Sequence, residues 1–312
     1  MPPDPTSTHT VDARPSRHRR WWPVAFVLLG SILLSACDYW PIPASTSNGA
    51  VAKGQFVIQC KTAVRSAADD PIVYPNQPGA AHLHEFYGNQ AVRANSSSQS
   101  LQGQPTGCAG TEPGDTAAYW HPTLFVNGTR TPAASSSFYY TNRDRKPNDV
   151  IRAHPAGLKI IAGDHMATAP QGTDVVYWGC GDGGSASKVE RPPQCRAGDD
   201  GLTLHVIFPD CWNGRDLDSV DHKRHMAYSQ RNGKAYQCPP SHPVSLPTMI
   251  MRIRWSGNPA PSSLRLSSGS VDTMHADFWN TWNQPRLEQL TRHCVTGGRD
   301  CDEDARQALP AR

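Results

Sequence analysis

Polar and apolar residues alternate at strand spacing along several stretches of this chain. Gln55–Gln59 alternates directly. In Leu202–Phe208, Leu202, Leu204, Val206 and Phe208 share one face and His205 points the other way. In Thr248–Trp255, Met249, Met251, Ile253 and Trp255 fall on one face, Arg252 and Arg254 on the other. Gly157–Ala162 and Thr173–Trp178 are β-branched or aromatic runs bounded by Gly, Pro or Asp, and Leu264–Val271 is a weaker strand. Thr123–Val126 runs into Asn127-Gly128, a hairpin turn signal. Helical patterning is confined to the end of the chain, where Pro285 precedes Arg286–His293 and Leu287 and Leu290 are three apart. The Ser-rich stretches Asn95–Ser100 and Ser135–Ser137 read as loops. The expected fold is mainly β: a sandwich or jelly-roll-like single domain with long loops and a short C-terminal helix.

A different pattern opens the chain. Arg17, Arg19 and Arg20 precede an apolar run, Val24–Leu34, which leads into Leu34-Ser35-Ala36-Cys37. Eleven apolar residues are too few to span a bilayer as a helix but suit a signal-peptide core. The four residues match a bacterial lipobox, so residues 1–36 read as a lipoprotein signal peptide and Cys37 as the lipidation site, carrying palmitate-type acyl chains. Residues 37–53 are small, polar and Pro-bearing, as a tether requires. The expected domain covers 54–301, followed by a charged tail at 302–312. Membrane contact is then through the N-terminal lipid, and the location is extracytoplasmic, in the cell envelope.

Cysteine usage agrees with that compartment. Of nine cysteines, setting Cys37 aside leaves eight: Cys60, Cys108, Cys180, Cys195, Cys211, Cys238, Cys294 and Cys301. An even set outside the cytoplasm reads as disulfides, and pairing of sequence neighbours is preferred because it closes loops of modest size. None sits in a CxxC, so a zinc ribbon is not indicated. Net charge is +3; the leader contributes four Arg against Asp4 and Asp12, which leaves about +1 for the rest. That excludes the strongly basic surface nucleic-acid binding requires.

Chemistry concentrates in histidine-bearing clusters. His82 and His84 lie on one face of an extended His82-Leu83-His84-Glu85, where they can chelate a metal, act as base and orienting partner, or simply pin a loop. Tyr119-Trp120-His121 offers an aromatic pair beside an imidazole, suited to sugar stacking or to a core, and Trp212 adds a further aromatic surface. His222 and His225 are three apart, aligned only if that segment is helical. His275 and Asp277 share a face of an extended segment, where a carboxylate can orient an imidazole. GxSxG, P-loop, GxGxxG and HExxH motifs are all missing.

Asp70-Pro-Ile-Val-Tyr-Pro75, Gly79-Ala-Ala-His-Leu-His-Glu-Phe-Tyr-Gly-Asn89, Tyr119-Trp-His-Pro-Thr-Leu124, Gly157-Leu-Lys-Ile-Ile-Ala-Gly-Asp164, Phe208-Pro-Asp-Cys-Trp-Asn-Gly214, His225-Met-Ala-Tyr228, His242-Pro-Val244 and His275-Ala-Asp-Phe278 follow one another in order. This series resembles the secreted family of unknown function DUF1996, across about Gln55 to Cys294. Ala81 stands where Ser is expected and Asn213 where Asp is usual, which argues against a catalytic carboxylate at 213. The resemblance implies an extracytoplasmic domain and brings no settled activity.

Two functions follow. One is an envelope lipoprotein with a glycan-active site, hydrolase or lyase. His82, His84, His225 and His275 would be its bases, acids or metal ligands, with Asp70 and Asp277 as orienting carboxylates. Tyr119, Trp120, His121 and Trp212 would contact a polysaccharide. A divalent metal held by His82, His84 and one of His225, His242 or His275 is part of that expectation. The other is a non-catalytic envelope carbohydrate-binding or structural lipoprotein.

Overall fold

Two antiparallel sheets share one core. In this computed structural model the described residues are 53–108, 112–145, 149–181, 188–302, 306 and 309. The signal peptide, Cys37 and nearly all of the 37–53 tether therefore lie outside the described residues, as does most of the 302–312 tail. The larger sheet runs, edge to edge, Asp300–Cys301, Gln55–Cys60, Ser135–Thr141, Thr248–Trp255, Leu202–Ile207 and Val176–Cys180; only its first pair is parallel. The smaller runs Arg65–Ala67, His84–Gly88, Ala118–Pro122, His275–Trp279 and Lys159–Gly163.

The sheets meet through side chains that alternation assigns to the inner faces. Phe56, Phe138, Tyr140, Leu204, Met249, Met251 and Ile253 come from the larger sheet, and Tyr87, Tyr119, Ile160, Ala276 and Phe278 from the smaller, all fully buried. Tyr119 stacks on Phe138 with ring centroids 3.9 Å apart, and the Tyr119 and Tyr140 hydroxyls are 2.7 Å apart. This is a mainly β sandwich, as the alternation predicts. The Asn127-Gly128 hairpin forms between Leu124–Val126 and Thr129–Arg130, both turn residues having the positive φ (49° and 77°) that a tight two-residue loop requires. The helix is Gln284–Leu290, capped by Asn283, whose side-chain oxygen accepts from the Arg286 N–H at 3.1 Å. It continues into a π-helical turn, Thr291–Thr296.

Two readings need correction. Ser135–Ser137 is no loop but the start of a strand, Ser135–Thr141, which pairs on both sides within the larger sheet. Asn95–Ser100 likewise runs into a short α-helix, Ser98–Leu101, capped by the Ser97 side chain. Three of the smaller sheet's strands, His84–Gly88, Ala118–Pro122 and His275–Trp279, carry no alternating signal because every residue in them is buried. Their inner face meets the larger sheet. Their outer face is covered by a second apolar cluster in which Phe86, Trp120 and Trp279 pack with Ile72, Val92 and Leu101.

The disulfides are Cys60–Cys108, Cys180–Cys195, Cys211–Cys238 and Cys294–Cys301, the neighbour pairing expected. They suit an oxidising compartment. Among the described residues no helix is long and apolar enough to cross a membrane. The Phe208–Gly214 motif has a structural job: the buried Asp210 pairs with Arg145 at 2.6 Å and accepts from Ser229 and Thr248, beside Cys211–Cys238.

His154 tests how far this core excludes charge. It is fully buried against Tyr140 and Phe278, and neither ring nitrogen has a hydrogen-bond partner. Burial pushes its pKa down to about 3. The unfolded chain takes up that proton near pH 6.5 and the folded chain does not, so stability is present above pH 6.5 and falls as the pH drops toward 3. Between pH 7 and 5 the loss from this one group is about 2 kcal/mol. His154→Leu is expected to flatten the acid limb of stability by that amount. Urea unfolding of both proteins at pH 7 and 5 measures it, and equal losses would refute the assignment.

Candidate metal centre

The site lies on the outer face of the smaller sheet. Alternation sends Glu85 and Tyr87 inward and leaves His84 and Phe86 outward; likewise His275, Asp277 and Trp279 face outward while Ala276 and Phe278 enter the core. Three strands lie side by side here. Trp120 is paired in register with Phe86 on one side and Asp277 on the other, and Pro122 with His84. His275 is opposite Gly163 on the next strand, where a Cβ would sit 2.6 Å from the Met274 carbonyl oxygen, so only glycine permits this approach. His82 enters from the loop just before its strand, and Asp70 from the turn Asp69–Tyr74.

Three imidazoles converge. His82 Nε2 is 3.2 Å and His84 Nε2 3.5 Å from His275 Nε2. The other nitrogens of two of them are committed: His84 Nδ1 donates to the Asp69 carbonyl and His275 Nδ1 to the Thr273 carbonyl, both at 2.9 Å. A carbonyl only accepts, so both rings carry their proton on Nδ1 and turn the Nε2 lone pair toward the other. Two lone pairs at 3.5 Å have no hydrogen to share; a cation between them resolves the arrangement. Burial holds all three rings neutral, the form that ligates: His275 is pushed down to about 3, His82 to about 4, and His84 well below the ordinary range.

Behind the rings lies a carboxylate pair. An oxygen of Asp70, an oxygen of Asp277 and a His84 ring nitrogen lie within 4.8 Å of one another, as do the ligating atoms of His82, His84 and His275. Asp70 accepts from the Ile72 and Val73 N–H groups at 2.9 and 3.0 Å. Asp277 is 1% exposed, and neither of its oxygens has a hydrogen-bond partner. Burial and then the Asp70 charge raise its pKa well above the carboxylate range. An orphaned buried carboxyl beside a neutral imidazole triad offers the donors that a divalent transition metal takes: three nitrogens and an oxygen in reserve.

Other expected residues go elsewhere. His225 is buried, donates from Nε2 to the Lys159 carbonyl at 2.6 Å and shares a hydrogen bond with the Ser219 hydroxyl at Nδ1, in a turn rather than a helix, so it is no ligand here. His242 has both nitrogens occupied, by Ser241 and the Arg224 carbonyl, and joins no cluster. The expected aromatic platform is sealed: Tyr119 and Trp120 are 0% exposed, and His121 is buried between the Tyr87 hydroxyl and the Pro122 carbonyl. These face core because their strand is covered on both sides. Trp212 is half-buried, donates to the Asp216 carbonyl at 2.7 Å, and borders a groove with Arg152, Val244 and Arg292 that none of the triad lines.

Sequence reasoning gave four nearby residues no role at this site. The Asp69 carbonyl orients His84, and Asp69 itself is tied by an ion pair to Arg65 and by the Gly79 N–H. His165, with its ring centroid 5.9 Å from that of His275, is exposed. Lys223 donates to the Gly163 carbonyl at 2.8 Å. His222 lies within electrostatic reach of Asp70. His165 directly follows the quoted Gly157–Asp164 motif, but nothing in sequence spacing ties the other three to the triad.

A family model described as domain of unknown function (DUF1996) matches residues 70–282, about two-thirds of the chain, and takes in every residue of the triad and both carboxylates. No curated protein and no solved structure matches the chain.

Proposed function

This chain belongs to the DUF1996 family, and we propose that it is a metal-dependent enzyme of the cell envelope, a hydrolase or lyase acting on envelope polysaccharide. The observation that carries the metal is the meeting of the His84 and His275 Nε2 lone pairs, with His82 closing the triad. Held by His82, His84 and His275, a divalent ion would supply Lewis acidity. The chain's own residues do the rest. The Asp69 and Thr273 carbonyls keep two rings in the ligating tautomer. Asp277, with free oxygens beside His84, takes or returns a proton, and Asp70 keeps it from ionising without an opposite charge nearby.

Position supports the polysaccharide. Four disulfides and the lipobox at Cys37 suit a domain tethered outside the cytoplasm, where such polymers are within reach. The buried Tyr119–Trp120 pair cannot be the sugar-stacking platform expected of this enzyme, so position alone supports the polymer. The non-catalytic alternative, whose histidines would be purely structural, loses support because His82, His84 and His275 converge. Elemental analysis of untagged protein is expected to find about one divalent metal ion per chain, and less than about 0.2 would end this reading.

A further inference from the structure

Close to the triad stand an ammonium and a further imidazole that the metal reading does not use. Lys223 is held there by its bond to the carbonyl of Gly163, the residue paired with His275, and its charge is felt at both His275 and Asp277. His165 stands edge-on to His275 and is exposed. His222, half-buried, has Nδ1 committed to Asp218 at 2.8 Å; its other nitrogen makes no bond among the described residues. Both His165 and His222 act electrostatically on Asp70.

The nearby carboxylates are already engaged. Asp218 holds His222 and Lys159, Asp221 accepts from Ser219 and the 223 and 224 N–H groups, and Asp272 is paired with Arg191. Asp164 accepts from the Met166 N–H. Among the described residues Lys223 has no ion-pair partner, so its ammonium is left to an incoming anion.

Resting on the metal reading above, we propose that the substrate is anionic: a carboxylate or phosphate group of the polymer seats between Lys223 and His165, beside the ion. Lys223 supplies the charge, and the exposed His165 imidazole supplies an N–H donor that orients the oxyanion. An acidic polysaccharide presents such a group once per repeat, which places the neighbouring bond over the triad each time.

The test titrates the chain, metal-loaded and metal-free, with trigalacturonate as the carboxylate probe, inorganic phosphate as the phosphate probe and maltotriose as a neutral control. Calorimetry reports binding, and the visible spectrum of the cobalt-loaded protein reports its proximity to the ion. Expected are binding of at least one anion, no binding of maltotriose, and at least about tenfold weaker anion binding in Lys223→Met, restored in Lys223→Arg, with metal content unchanged throughout. His165→Gln, an exposed change that leaves the fold intact, is expected to weaken it severalfold. Trigalacturonate preferred over phosphate identifies a uronate-type substrate, and the reverse a phosphorylated one. Maltotriose binding as tightly as either anion, no binding of either, or anion affinity unchanged by Lys223→Met would overturn the proposal. Metal content read on the same samples separates that failure from failure of the metal centre itself: without metal, the Lys223 dependence must still appear in the metal-free titration.

Discussion

His275→Ala is expected to abolish metal binding while the protein still folds. The ring contributes the Nε2 that both His82 and His84 approach, at 3.2 and 3.5 Å, so its loss leaves two imidazoles that no longer face a common third. Outer-sphere changes at metal sites cost about 10–100-fold in affinity; removing a direct ligand from a three-nitrogen set costs more. Metal content should drop from about one per chain to below about 0.1 after gel filtration. Folding should survive, because His275 in the metal-free chain is a buried neutral ring with one hydrogen bond, to Thr273. Two other histidines sharpen the result. His242→Ala should keep its metal unchanged, and His225→Ala should keep its metal but lose stability, since it removes both a hydrogen bond to Ser219 and one to the Lys159 carbonyl. Full metal retention in His275→Ala would place the ion elsewhere and refute the assignment.

Asp277→Asn is expected to make the metal-free protein more stable and the metal-loaded protein inactive. A carboxyl that is 1% exposed with no partner for either oxygen costs desolvation and recovers none of it. Its raised pKa means the folded chain holds a proton that the unfolded chain releases near pH 4, so this group weakens the fold progressively as pH rises above that value. An amide of the same shape cannot ionise and removes that penalty. A gain of about 1–3 kcal/mol is expected at pH 7, or a few degrees in Tm for a domain of this size. The gain should shrink as the pH is lowered toward 4, where the parent's carboxyl is protonated in both states. Function pays the opposite way, because the amide has no acidic proton to give or take back. Thermal melts of the two metal-free proteins at pH 5 and 8 measure the first half. A variant less stable than the parent at pH 8 would show that Asp277 has a stabilising partner and would remove it as the proton-transfer group.

Parts of the molecule differ in how much the sequence disclosed. Leu202–Ile207 and Thr248–Trp255 were legible because hydrophobic spacing is local, and the Asn127-Gly128 turn because two positive-φ residues are a local demand. His84–Gly88 and His275–Trp279 hid as strands, yet their histidines stood out. The same burial on both faces that erases alternation makes an unexplained imidazole conspicuous. Tyr119 and Trp120 misled for the same reason: an aromatic pair reads alike whether a sugar or Phe86 and Phe138 lie against it.

Read alone, the chain determined a mainly β domain, an even set of cysteines whose neighbour pairing it favoured and the structure decided, and a short inventory of histidines and aspartates that needed explaining. All of these follow from local spacing and counting. Only the tertiary structure decided which histidines meet. His82 and His84 are 193 and 191 residues from His275 along the chain, and register across the sheet brings them together. His225 and His242 carry the same chemistry, but neighbouring carbonyls and hydroxyls use it up. Hydrogen-bond commitment, set by what the fold places next to each ring, separates a ligand from a strut.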